Sequence, residues 1–229
     1  MSRIVMKFGG TSVGSVERIN HVAEIVRSEV DAQNQVVVVL SAMAGETDRL
    51  VNLTKELSKD FPASEYDVVI SSGEQVSVGA LSGLLNSSGI KSKSLLGWQV
   101  PIVTSTDHKS ARIEAISSEI ILKLLDENNV VIIPGFQGIS VDGRITTLGR
   151  GGSDTSAVAI AASIDADFCD IYTDVDGVYT TDPNKVPNAK RLDKISYEEM
   201  LEMASLGAKV LQTRSVETAM NNDVFLRVL

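Results

Sequence analysis

An α/β fold on a largely parallel sheet is predicted by two features of this chain: continuous β-branched apolar runs, and helix-period segments between them. The runs fall at 4–8, 36–40, 130–133 and 168–173, too uniformly apolar to spare a face for solvent. Helical spacing covers about 15–30, 112–128, 154–164, 197–206 and 209–221. With 229 residues the chain can bury one substantial core, and no linker forces it into separate domains.

Taken in order, the first strand ends in KFGGTSV at 7–13, where Lys7 runs into Gly9 and Gly10. Backbone N–H groups of such a turn can approach an anion closely, Lys7 adds a full charge, and Thr11 and Ser12 add hydroxyls. A tight strand-to-helix connection would also use two glycines. Ser15 reads as the cap of the next helix, with Glu17 in its first turn, so the positive end of that helix faces the turn. Residues 65–88 carry two signals: DVVI at 67–70 looks like strand, while Val76, Leu81 and Leu85 have helical spacing, and helix is favoured. Asp142-Gly143 predicts a hairpin over 139–148 beside the site. Ser196 with Glu199 forms a capping box, and FLRVL at 225–229 reads as a last strand.

Two further segments carry chemistry. RGGSDTSA at 150–157 opens a helix with two glycines beside Arg150 and Asp154, more than a cap requires, and its N-terminus suits an anion that Arg150 could grip. YTDVDGVYTTDP at 172–183 follows a strand, at the edge where open α/β sheets bind ligands, although a solvated turn has the same composition. A helix-loop-helix calcium site is excluded, because Tyr172 and Pro183 stand where acidic ligands belong.

Composition removes several classes. A net charge of −9 with no basic run disfavours nucleic acid and anionic membranes. The single cysteine, Cys169, excludes an internal disulfide and reads as a core thiol in a reducing, cytoplasmic setting. The longest apolar run, VVVVL at 36–40, is far short of a membrane span. No GxxxxGK[ST] string occurs and no GxGxxG follows a strand; His21 and His108 lie outside any triad or zinc pattern and read as surface residues.

In this order KFGGTSV, SAMAGETD (41–48), SSGEQVS (71–77), GRGGSDTSA (149–157), YTDVDGVYTTDP and SYEEMLEMASLGAKVL (196–211) resemble the catalytic domain of aspartate kinases, in the amino acid kinase family. The resemblance spans nearly the whole chain. It implies a three-layer sandwich around a mostly parallel central sheet, a helical 65–88, and one catalytic domain over 1–229. Within it, an N-terminal lobe to about 148 would bind the amino acid and a C-terminal lobe from about 149 the nucleotide. The paired ACT regulatory modules usual in the family are not expected within these residues, so feedback and their dimer contacts are not carried over, while the kinase fold itself is expected to be complete.

The implied reaction moves the γ-phosphoryl group of ATP to the side-chain carboxylate of L-aspartate, giving 4-phospho-L-aspartate and ADP, the first step toward lysine and diaminopimelate, threonine and methionine. A carboxylate with an ordinary pKa of about 3.9 is already anionic at neutral pH, so no general base is needed. Residue by residue, the resemblance makes Lys7 and Asp154 catalytic, Asp154 orienting the lysines. It puts Ser41, Thr47, Glu74, Arg150 and Ser153 on aspartate, with Glu74 at the ammonium group and Arg150 at the α-carboxylate. Lys7, Gly9, Gly10, Thr173, Asp174, Tyr179, Asp182, Lys185, Lys209 and Val210 fall to ATP. Magnesium (Mg2+) would arrive with ATP and be held through phosphate oxygens and water, with no direct protein ligand. The expected partners are ATP and L-aspartate, with neither nucleic acid nor membrane; a homodimer or a separate regulatory chain stays open. Two other readings remain: a silent nucleotide- or amino-acid-binding module, and a sister kinase of different specificity.

Overall fold

The central layer is one sheet of six parallel strands: β1 (Arg3–Phe8), β2 (Gln35–Leu40), β3 (Ser92–Ser94), β6 (Val130–Pro134), β9 (Phe168–Tyr172) and β10 (Leu226–Val228). Their order is β10-β9-β1-β2-β6-β3. The structure, a computed structural model, describes every residue except Asn184 and Lys209. Apolar side chains alternate between two buried faces, which explains why these strands read as unbroken apolar runs.

On one face Ile4, Met6, Phe8, Val36, Val38 and Leu40 pack against Ile19, Val22 and Val26 of α1 (Val16–Asp31) and Val78, Leu81 and Leu85 of α3 (Ala63–Ser87). On the other, Val5, Val37, Val39, Cys169 and Ile171 pack against α5 (Gly152–Ser163) and α7 (Thr213–Asn221). Ile121 and Leu125 of α4 (Glu119–Asp126) and Met200 of α6 (Tyr197–Ser205) join that second cluster. Each such side chain contributes about 1.5–3 kcal/mol by leaving water, so the two clusters hold three layers together. The expected sandwich with its parallel centre is the observed one, and Cys169 is a core thiol whose ionisation burial pushes up.

A second sheet flanks the first, in the order β5-β4-β7-β8, from β4 (Ile102–Thr104), β5 (Ile113–Ile116), β7 (Gln137–Ser140) and β8 (Ile145–Thr147). The β7–β8 pair is the expected hairpin, turning through Gly143 at φ +78. The helix expected over 112–128 is corrected: 113–116 is strand β5, and α4 begins only at Glu119. Ile113, Ile116 and Ile120 mimic a helical period, but Ser117 and Ser118 separate a strand from a helix. The helix expected over 209–221 also starts later, at Thr213, because Leu211 is buried in the core as a lead-in and Gln212, at the N-cap position, is still extended. Helix α2 (Glu46–Leu57), entered through left-handed Gly45, was not expected from the sequence pattern.

Helix α3 covers the two-signal segment. At 25 residues it is long and apolar enough to cross a membrane by length and composition. It packs inside this fold instead, with Asp67, Ser71, Glu74 and Ser77 buried along one side.

Candidate functional site

Every strand of the central sheet runs the same way, so the segments after β1, β2, β6 and β9 emerge at one edge. There β1 delivers Lys7 on the Val5 face, toward α5. Its Nζ lies 2.7 Å from Asp154 Oδ1, both side chains nearly enclosed. The ammonium has three N–H donors, more than this one carboxylate oxygen takes up, so donors remain for an anion. Beyond Lys7, Gly9 is extended, and a Cβ there would sit 3.6 Å from the Lys7 ammonium, in the space an anion would need.

Gly10 opens a short 3-10 turn, Gly10–Val13, which stands between the glycines and α1. A Cβ on Gly10 would come within 2.8 Å of the Ala42 carbonyl, while Gly10 accepts a hydrogen bond from Ala44 N at 3.1 Å. The glycine thus fixes the loop after β2 against the loop after β1. Gly10→Ala is expected to destabilise the fold by about 1–3 kcal/mol through overpacking against backbone, read as a lower urea midpoint at unchanged m-value.

Helix α5 begins at left-handed Gly151 (φ +67) with no side-chain cap. Any Cβ there would collide with Gln212, 2.0 Å from its Cγ. Among the described residues no acceptor meets the N–H of Ser153 or Asp154, so the positive end of α5 is open. Arg150 is exposed beside it, without hydrogen bond or ion pair among the described residues.

Glu74, from the middle of α3, is buried to 3% exposure. One oxygen accepts a 3.3 Å hydrogen bond from Ala42 N, and the other has no partner. Burial pushes its carboxyl up to about 7. An unpartnered buried carboxylate costs free energy unless a cation meets it.

These groups face one cavity of about 680 Å³, lined among others by Lys7, Ser41, Thr47, Glu74, Arg150, Ser153 and Asp154. Every residue expected on the acceptor and both expected catalytic residues are therefore brought together. Tyr66, Lys109 and Phe136 also line it and were not singled out from the sequence. Only Phe136 left a signal, the Gly135-Phe136 pair that follows β6. His108, expected at the surface, is a correction: its ring is 19% exposed and its Nδ1 lies 2.6 Å from buried Asp67, because α3 carries that carboxylate under the loop.

The amino acid kinase family model matches residues 2–229. The chain belongs to the amino acid kinase family. It is 56% identical over 229 residues to an aspartate kinase of Pseudomonas putida, covering 100% of this chain and 56% of that protein. It therefore spans little more than half the length of that relative. Among solved structures, aspartate kinase from Synechocystis superposes with a TM-score of 0.87 at 47% identity, covering 99% of this chain and 37% of that one. Aspartokinase III of E. coli, solved with aspartate and ADP, gives 0.87 at 31% identity, covering 98% and 61%.

Of the residues assigned to nucleotide, Lys7 and Gly10 line the cavity, whereas Gly9, Thr173, Asp174, Tyr179, Asp182, Lys185 and Val210 lie outside its lining. Thr173 and Asp174 follow β9 directly, beside the β1 turn, with Thr173 Oγ1 donating to Asp174 at 3.0 Å. Tyr179 donates to Asp176 at 2.9 Å and bridges to Arg191. Asp182 and Lys185 form an exposed pair at 3.9 Å, and Val210 packs half-buried on the core. Lys209 lies outside the described residues. Gly9 connects the two regions, since its added Cβ would be 3.9 Å from the Tyr172 carbonyl.

Proposed function

We propose that this chain transfers the γ-phosphoryl group of ATP to the side-chain carboxylate of L-aspartate, releasing ADP and 4-phospho-L-aspartate. The observation that carries it is the orphaned, buried Glu74 carboxylate in a cavity otherwise furnished for anions. With Asp154 taken up by Lys7, one unpaired carboxylate among the cavity's cations matches an amino acid with two carboxylates and one ammonium. The relatives named aspartate kinase, and the one solved with aspartate and ADP, support the same substrate pair.

Glu74 would hold the ammonium group, and Arg150 with Ser153 the α-carboxylate at the open end of α5. Ser41 and Thr47 would orient the side-chain carboxylate, whose oxygen attacks phosphorus as the bond to the ADP oxygen breaks. Lys7, held by Asp154, would stabilise charge on the transferring group. Thr173, Asp174, Tyr179, Asp182, Lys185, Lys209 and Val210 would take the nucleotide, placing it in the C-terminal lobe across the Gly9–Gly10 turn from the acceptor. Because Asp154 is committed to Lys7, Mg2+ would be held by phosphate oxygens and water, supplying further charge neutralisation there. We place the protein in the cytoplasm and assign its product to lysine, threonine and methionine formation.

Incubation with ATP, magnesium, L-aspartate and hydroxylamine should yield aspartyl hydroxamate. No hydroxamate above background would favour a silent binding module instead, and preference for glutamate or acetylglutamate would refute the acceptor.

A further inference from the structure

Among the described residues, six that are not glycine have positive φ. Gln33, Asn128, Asp165 and Asp223 each stand one residue past a helix C-cap, where left-handed backbone is ordinary. The remaining two, Phe136 and Lys109, both at φ +69, have no such excuse and both line the cavity. Strain at such a position persists only where the surroundings over-determine it.

For Lys109 the surroundings are explicit. Asp67, wholly buried on α3, accepts from the Lys109 backbone N–H with both oxygens at 3.1 Å, from Thr147 Oγ1 at 2.6 Å, and contacts His108 Nδ1 at 2.6 Å. Asp67 lies two helical turns before Glu74 on the same buried stripe, so one helix sets both. The Lys109 ammonium sits 4.5 Å from the centre of the Tyr66 ring, which also lines the cavity. This cation–π contact leaves its N–H donors free for a ligand, and Lys109 has no ion pair among the described residues.

We infer that Lys109 is an acceptor-binding residue that meets a carboxylate of the bound amino acid, and that Asp67 with His108 is the positioning pair that holds it over the cavity. The inference rests on the phosphoryl-transfer reading above. It adds a second cation to the cleft, on a loop whose Lys109 carbonyl packs against Gly149, next to Arg150.

The test uses the whole chain. Lys109→Met keeps the aliphatic stem on Tyr66 and removes the charge. It should raise KM for aspartate about three- to tenfold, the scale of one charge-assisted contact in a partly solvated cleft, with kcat and KM for ATP within about twofold. Lys109→Arg should restore most of the loss. His108→Ala and Asp67→Asn should raise the aspartate KM too, and should speed tryptic cleavage between Lys109 and Ser110, which a pinned backbone resists. Unchanged aspartate KM in Lys109→Met, in a wild-type enzyme that forms hydroxamate, overturns the binding role. Unchanged cleavage in His108→Ala overturns the positioning role, and that half-buried variant carries the test if Asp67→Asn does not fold. Wild-type protein without hydroxamate overturns the phosphoryl-transfer reading, while the cleavage assay still judges the loop.

Discussion

Replacing Lys7 with methionine is expected to lower kcat at least about a hundredfold while leaving KM for aspartate within a few-fold, measured by ADP release at saturating ATP. The ammonium is the only charge that the end of β1 presents toward α5, and Asp154, at 2.7 Å, fixes it there. Two consequences of removal act together. The transferring group loses a stabiliser aimed at it, and Asp154 becomes an uncompensated carboxylate facing phosphate. Methionine keeps the stem buried against its neighbours, so the kinetic loss separates from a packing loss. If Asp154 works through Lys7, Asp154→Asn added to Lys7→Met should cost far less than Asp154→Asn alone, since residues acting as a unit are strongly non-additive. A Lys7→Met enzyme with wild-type kcat would remove both residues from the mechanism.

The parallel sheet could be read from the sequence because its strands are buried on both faces. Val36 to Leu40 must then be apolar at every position, and no helix pattern competes. Half of the flanking sheet, β4 with β5, was illegible for the opposite reason, whereas Asp142-Gly143 announced the β7–β8 hairpin. Strands β4 and β5 are three and four residues long, partly exposed, and their pairing is set by contacts remote in sequence. The site divided along the same line. Lys7, Arg150, Ser153 and Asp154 sit in glycine-rich turns whose chemistry is local, whereas Tyr66, Lys109 and Phe136 acquire their place only when α3 packs on β8 and a loop closes on Asp67. His108 failed as a surface residue because its buried partner lies 41 positions away.

Affinity for aspartate should fall as pH is lowered through 7, and Glu74→Gln should abolish that dependence. Burial raises the Glu74 carboxyl from 4.5 to about 7, so the folded protein keeps a proton that the unfolded chain has released. By itself the group therefore favours the fold most fully below about pH 4.5, and that contribution is lost as pH rises through about 7. A bound ammonium group reverses the preference, because it needs the carboxylate charged. Below pH 7 binding must first expel the proton, and KM for aspartate should rise toward tenfold per pH unit, reaching about thirtyfold between pH 8 and 5.5. Over the same range KM for ATP should lack this step, because the unpartnered Glu74 oxygen lies in the acceptor cavity. Glu74→Gln is neutral at every pH, so its aspartate KM should be high and flat, with kcat reduced less than KM is raised. Isothermal titration in buffers of different ionisation enthalpy gives the same answer independently: aspartate should release close to one proton on binding at pH 6 to the wild type and none to the variant. A flat KM profile in the wild type would place the ammonium group elsewhere, and would leave the Glu74 carboxylate without the cation that its burial requires.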